Sequence, residues 1–96
     1  MNPLARVEIT FPSVLSAITK GERRASVQAT TVQEAVEQLV SRYGENFKIR
    51  ILDSSGKPNR LLNFYVNGKN VKFLSDVQTS LKEGDEITVI PAVAGG

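Results

Sequence analysis

One segment of this 96-residue chain reads as a helix with both ends marked, and it constrains everything around it. Thr31 stands three residues before Glu34, the capping-box spacing in which each side chain meets an exposed amide at a helix start. Val32, Ala35, Val36, Leu39, Val40 and Tyr43 then recur at i, i+3 and i+4 as one apolar stripe. Glu34, Glu37, Gln38 and Arg42 face away, and Gly44 is placed to end the helix in a left-handed conformation. A stripe of three turns must be buried on something. The rest of the chain offers strands.

Val7, Ile9 and Phe11 alternate with Arg6, Glu8 and Thr10, which predicts a half-buried strand over residues 5–11 that Pro12 ends. Residues 13–23 read as a long turn that tucks Leu15 and Ile18 onto the core. Ala25, Val27 and Ala29 predict a second strand, forming a hairpin with the first. Residues 45–61 leave two readings open: Phe47, Ile49 and Ile51 alternate like a strand, while Phe47, Ile51 and Leu52 suit a helical turn. Asp53 to Asn59 is a surface loop by composition. Leu62–Val66 is a strand with Phe64 and Val66 on one face and Tyr65 on the other. Asn67-Gly68 signals a type I′ turn, and Val71–Phe73 is expected to return as a short partner strand.

Leu81 to Gly84-Asp85 predicts another turn, and Glu86–Ile90 is the last strand, with pairing ending at Pro91. If Ile87 and Val89 point inward, Thr88 and Ile90 point outward, and Tyr65 shares that outer face. One long helix across these strands makes a two-layer α+β domain whose second sheet face is open to a partner.

Composition narrows the function. The chain has no Cys and no His, so it lacks a disulfide scaffold, a thiolate metal site, a cysteine nucleophile and the commonest general base. No metal site is expected, and a self-contained enzyme is disfavoured. No apolar run is long enough to span a bilayer and the start shows no secretory pattern, so the expected location is cytoplasmic. Twelve Lys and Arg against ten Asp and Glu give a net charge of only +2. Lys69, Lys72 and Phe73 could suggest an RNA-binding hairpin, but no basic stripe accompanies them, and no nucleic-acid partner is expected.

Three stretches carry a resemblance: Phe64-Tyr65-Val66-Asn67-Gly68, then residues 81–91, LKEGDEITVIP, then Ala92-Val93-Ala94-Gly95-Gly96. Together with the strand–strand–helix–strands order they resemble the ubiquitin-like β-grasp sulfur carriers of the ThiS and MoaD type. The ending looks most like the CysO-type carrier of cysteine biosynthesis. The resemblance implies a mixed sheet with one main helix on one face over residues 1–91, a flexible Gly-Gly tail over 92–96, and a helical turn at 45–52.

The same resemblance implies the chemistry. The reactive group would be the α-carboxylate of Gly96, adenylated by an E1-like enzyme with ATP and converted to a thiocarboxylate that donates sulfur. No cofactor would be bound permanently. Gly95, Ala94 and Val93 would thread the enzyme's channel, glycine being free of a Cβ. Tyr65, Thr88 and Ile90 are the candidate docking residues on the open sheet face. Expected partners are the adenylating enzyme and a sulfur-accepting, cysteine synthase-like enzyme, the free carrier being a monomer. Related alternatives are the small subunit of a molybdopterin synthase, a thiazole-pathway carrier and a lysine-attached modifier. From another class, the alternative is a β-grasp interaction module with an inert tail.

Overall fold

The alternation in the first strand is met as written: β1, Ala5–Thr10, buries Ala5, Val7 and Ile9 and leaves Arg6 exposed on the other face. The computed structural model describes residues 4–91. Antiparallel to β1 runs β2, Arg24–Ala29, with Val7 opposite Val27 and Ile9 opposite Ala25. The helix α1 spans Val32–Tyr43, followed by the shorter α2, Glu45–Ile51. Three more strands complete the chain: β3, Leu62–Val66; β4, Lys69–Asn70; and β5, Glu86–Pro91. The sheet order is β2-β1-β5-β3-β4, with β5 parallel to β1 and antiparallel to β3.

The stripe of α1 covers one face of this mixed sheet. Val32, Ala35, Val36, Leu39 and Tyr43 are buried with Val7, Ile9, Val27, Phe64, Val66, Ile87 and Val89 in one core. Each fully buried Val, Leu or Ile contributes about 1.5–3 kcal/mol. Phe11, Tyr43 and Phe47 meet at ring-centroid distances of 5.2–6.1 Å, tying the end of the first hairpin strand to both helices. Buried Thr19 knits the turn after β1, donating its hydroxyl to the Glu22 carbonyl at 2.8 Å.

Several local expectations are corrected. The Thr31 hydroxyl accepts from the Glu34 amide at 3.2 Å, as a cap should, but the Glu34 carboxylate reaches the amide and hydroxyl of Thr30, at 2.7 and 2.6 Å, not Thr31. Gly44 has φ +92° and ψ −166°, an extended positive-φ conformation essentially reserved for glycine and not the left-handed helical one. It ends α1 and starts α2 at once. Phe47 and Ile51 are buried while Ile49 is 62% exposed, so the helical reading of this segment holds: a strand would have put all three on one face.

Residues 71–73 are not a strand. The Asn70 side chain accepts from the Lys72 amide at 2.9 Å and caps a single 3-10 turn, Val71–Phe73, which buries Val71 and leaves Phe73 87% exposed. The partner strand is instead the two-residue β4, delivered by a turn in which Asn67 (φ +51°) and Gly68 (φ +88°) both take positive φ. The ladder of β1 stops at Thr10, one residue before Phe11, and β5 runs one residue further than Ile90, pairing Pro91 with Leu62.

Candidate functional site

The chain reaches its last strand through a turn that is bonded on both sides. Gly84, at φ +87°, lets the backbone reverse, and its amide donates to the Arg6 carbonyl at 2.9 Å. Returning toward β1, the Arg6 amide donates to Glu83 Oε1 at 2.9 Å and the Glu8 amide to the Asp85 carbonyl at 3.1 Å. On the β3 side, Asn67 Nδ2 donates to Asp85 Oδ1 at 2.9 Å, and the Glu86 amide donates to Asn67 Oδ1 at 3.0 Å. The second carboxylate oxygen of Asp85 closes the turn by accepting from the Lys82 amide at 2.8 Å. A strand clamped at its start cannot slip by one residue, and a slip would exchange its two faces.

With that register, Ile87 and Val89 are buried and Thr88 and Ile90 fall on the face away from α1. Thr88 lies between Thr10 of β1 and Tyr65 of β3, and Ile90 lies opposite Asn63. Tyr65, Thr88 and Ile90 therefore share the open face, the first two half-buried and Ile90 43% exposed. The face is graded along β5. Glu8 and Glu86 sit side by side at its start, with Asp85 just before, whereas Ile90 stands at its end.

Two parts of this region leave no mark in the sequence. A shallow groove of about 310 Å³ opens beside Pro91, with Val14 and Leu61 on its rim, both more than half exposed, and Arg50 and Asn59 as its polar edge. Val14 sits in the turn from which Leu15 and Ile18 alone stood out, and Leu61 adjoins a strand start; neither breaks a pattern. The Asn67–Asp85 contact is the second, because a hairpin turn and a later turn carry no shared sequence signal. The remaining candidate residues, Val93, Ala94, Gly95 and Gly96, lie outside the described residues. Among those described, no three His, Cys, Asp or Glu side chains gather to hold a metal ion, and no helix is long and apolar enough to cross a membrane.

Comparison with known proteins places this geometry. The profile of the ThiS family matches residues 9–96. The sulfur carrier protein CysO of Mycobacterium tuberculosis is 34% identical over 92 residues, covering 94% of this chain and 98% of that protein. CysO in the crystal structure of the Amycolatopsis orientalis BexX/CysO complex superposes with a TM-score of 0.83 at 34% identity, covering 94% of this chain and 99% of that one. The small archaeal modifier protein 1 of Methanosarcina acetivorans has a TM-score of 0.85 at 24% identity, over 99% of this chain and 100% of that one, and shares the ubiquitin-like β-grasp fold.

Proposed function

This chain belongs to the ThiS family, and on that premise we propose that it is a sulfur carrier whose Gly96 carboxylate is activated and loaded as a thiocarboxylate. The observation that carries the reading is the extent of the match: the family profile continues past the last described strand and through Gly95-Gly96. Homologous sulfur carriers, matched over 98% of their length, support a carrier and not a catalyst.

The chemistry needs an activating partner. A carboxylate resists nucleophiles because it is anionic and has no good leaving group. Attack of the Gly96 carboxylate on the α-phosphorus of ATP forms an acyl-adenylate and releases pyrophosphate. A sulfide equivalent from a sulfur donor then adds to the acyl carbon, AMP leaves, and a proton is lost to give the thiocarboxylate. The bound sulfur is ionised at neutral pH and nucleophilic, and a second enzyme transfers it to its own substrate. The likeness to CysO supports cysteine biosynthesis as the destination.

Within this reading, the enzyme grips the tail while the open face around Tyr65, Thr88 and Ile90 docks. An apolar end of the face next to a reactive terminus suits an interface centre, and the acidic start of β5 suits a basic rim on the partner. That a homologous CysO has been crystallised in complex with another protein, BexX, supports a carrier that works by docking.

The test is ATP–pyrophosphate exchange with the cognate adenylating enzyme. Exchange should depend on the full chain and vanish for a chain lacking Gly96. Undiminished exchange with the shortened chain would remove Gly96 from the reaction.

A further inference from the structure

β2 forms one edge of the sheet, on the far side of β1 from β5. Just past the end of β1, the Phe11 amide donates to the Arg23 carbonyl at 2.9 Å, which marks that opposed position as a bonded one in the phase of the ladder. Opposed pairs in an antiparallel ladder alternate between bonded and non-bonded. Ile9–Ala25, Val7–Val27 and Ala5–Ala29 therefore hold β2 to β1, and the N–H and C=O groups of Arg24, Ser26 and Gln28 point the other way. Among the described residues, no strand follows β2 in the sheet order.

One of these outward groups is already met by charge. Arg42 of α1 reaches over the edge, and its Nη2 donates to the Ser26 carbonyl at 2.9 Å. Beside it runs an open groove of about 500 Å³, lined by Leu4, Arg6, Ser26, Val27, Gln28, Gln38 and Arg42. The lining includes two guanidiniums and no carboxylate. Arg24 adds a third at the start of the strand, while Glu8 of β1 accepts from the Ser26 hydroxyl at 3.0 Å and Glu83 from the Arg6 amide at 2.9 Å.

We propose that the β2 edge binds an extended, acidic peptide segment of a partner protein as an added strand. Main-chain groups of Arg24, Ser26 and Gln28 would supply the ladder, as sheet edges do when a segment joins them. Arg6, Arg24 and Arg42 select for carboxylates, with Arg42 leaving the Ser26 carbonyl to pair with the incoming segment. This edge is one strand removed from β5, so occupation of β2 leaves the open face by Tyr65 and Ile90 free.

The probe is a blocked six-residue peptide alternating Glu and Val, titrated into the labelled full-length protein, with amide exchange read by NMR. Binding should slow exchange at the amides of Arg24, Ser26 and Gln28, whereas Ala25, Val27 and Ala29 are protected beforehand. A Lys–Val peptide should not bind, and added salt should weaken the Glu–Val peptide. Arg42→Gln should weaken it about two- to fivefold. Gln28→Pro removes an outward N–H without breaking the ladder to β1, and should weaken binding further. A Glu–Val peptide N-methylated at alternate residues keeps the charge but loses backbone donors, and should fail on the unaltered protein. Equal binding of the N-methylated peptide, protection elsewhere, or no response at about 1 mM peptide would overturn the proposal.

Discussion

Asn67 and Asp85 hold each other across the junction of β3 and β5, Nδ2 to Oδ1 at 2.9 Å, although they sit in two different turns. Through this contact the hairpin turn of β3 sets where β5 begins, and so which of its residues face outward. Each of the two bonds accepted by the Asp85 carboxylate contributes about 0.5–1.5 kcal/mol net. Asp85→Ala should therefore destabilise by about 1–3 kcal/mol, a fall of roughly 4–8 °C in Tm per kcal/mol. Asn67→Gly keeps the positive φ but removes the amide, and a double-mutant cycle with Asp85→Ala should give a coupling of at least about 0.5 kcal/mol. Additive melting temperatures would mean that the two turns act independently.

Gly44 should tolerate no side chain, for a backbone reason and not a packing one. A Cβ built there meets nothing within 4 Å, yet φ is +92°. Gly44→Ala should cost about 1–3 kcal/mol in denaturant unfolding. A neutral result would show that the junction of α1 and α2 can rearrange freely.

Much of the fold was legible because its segments obey one period at a time. The phases of Ile87 and Val89 against Thr88 and Ile90 followed from alternation, and the burial of α1 from its stripe. Segments of three residues are different. Val71–Phe73 alternates as a strand must, but so short a run fits a 3-10 turn equally well, and the hydrogen bond that the Asn70 side chain accepts from the Lys72 amide decides it. The cap at α1 was read correctly at Thr31 and wrongly at Glu34, whose carboxylate found two donors on Thr30 where Thr31 offered one amide. For the candidate site, the outward phases of Tyr65 and Ile90 were legible, whereas the groove by Val14 and Leu61 depends on tertiary packing with no periodic trace.

Glu34 links the fold to pH. Hydrogen bonds from the Thr30 side chain and then the Thr30 amide hold its carboxyl below the ordinary 4.5. The native state thus binds its proton less readily than the unfolded chain. Its contribution is fully present above pH 4.5 and is lost as the pH falls through the lowered native value. Glu34→Gln carries no titrating group, so its melting temperature should fall less between pH 6 and pH 3 than that of the unaltered protein. Parallel acid profiles would assign the loss to other carboxylates.

The open face separates docking from folding. Ile90→Glu places a charge where the side chain is already exposed, so unfolding free energy should change by no more than about 0.5 kcal/mol. At an interface centre the same charge must be desolvated without a partner, which should weaken binding to the adenylating enzyme by at least about 2 kcal/mol, or roughly 30-fold. Tyr65→Glu should follow the same pattern with a somewhat larger stability cost, its ring being half-buried. Unchanged affinity for both variants would move the docking site off this face.

The most direct measurement of the carrier reading is the intact mass of the protein after incubation with its adenylating enzyme, ATP and a sulfur donor. The account predicts a gain equal to exchange of one oxygen for sulfur, located by fragmentation to Gly96 and absent when ATP is withheld. A mass that does not change in the complete reaction, with the enzyme shown to be active, would contradict it.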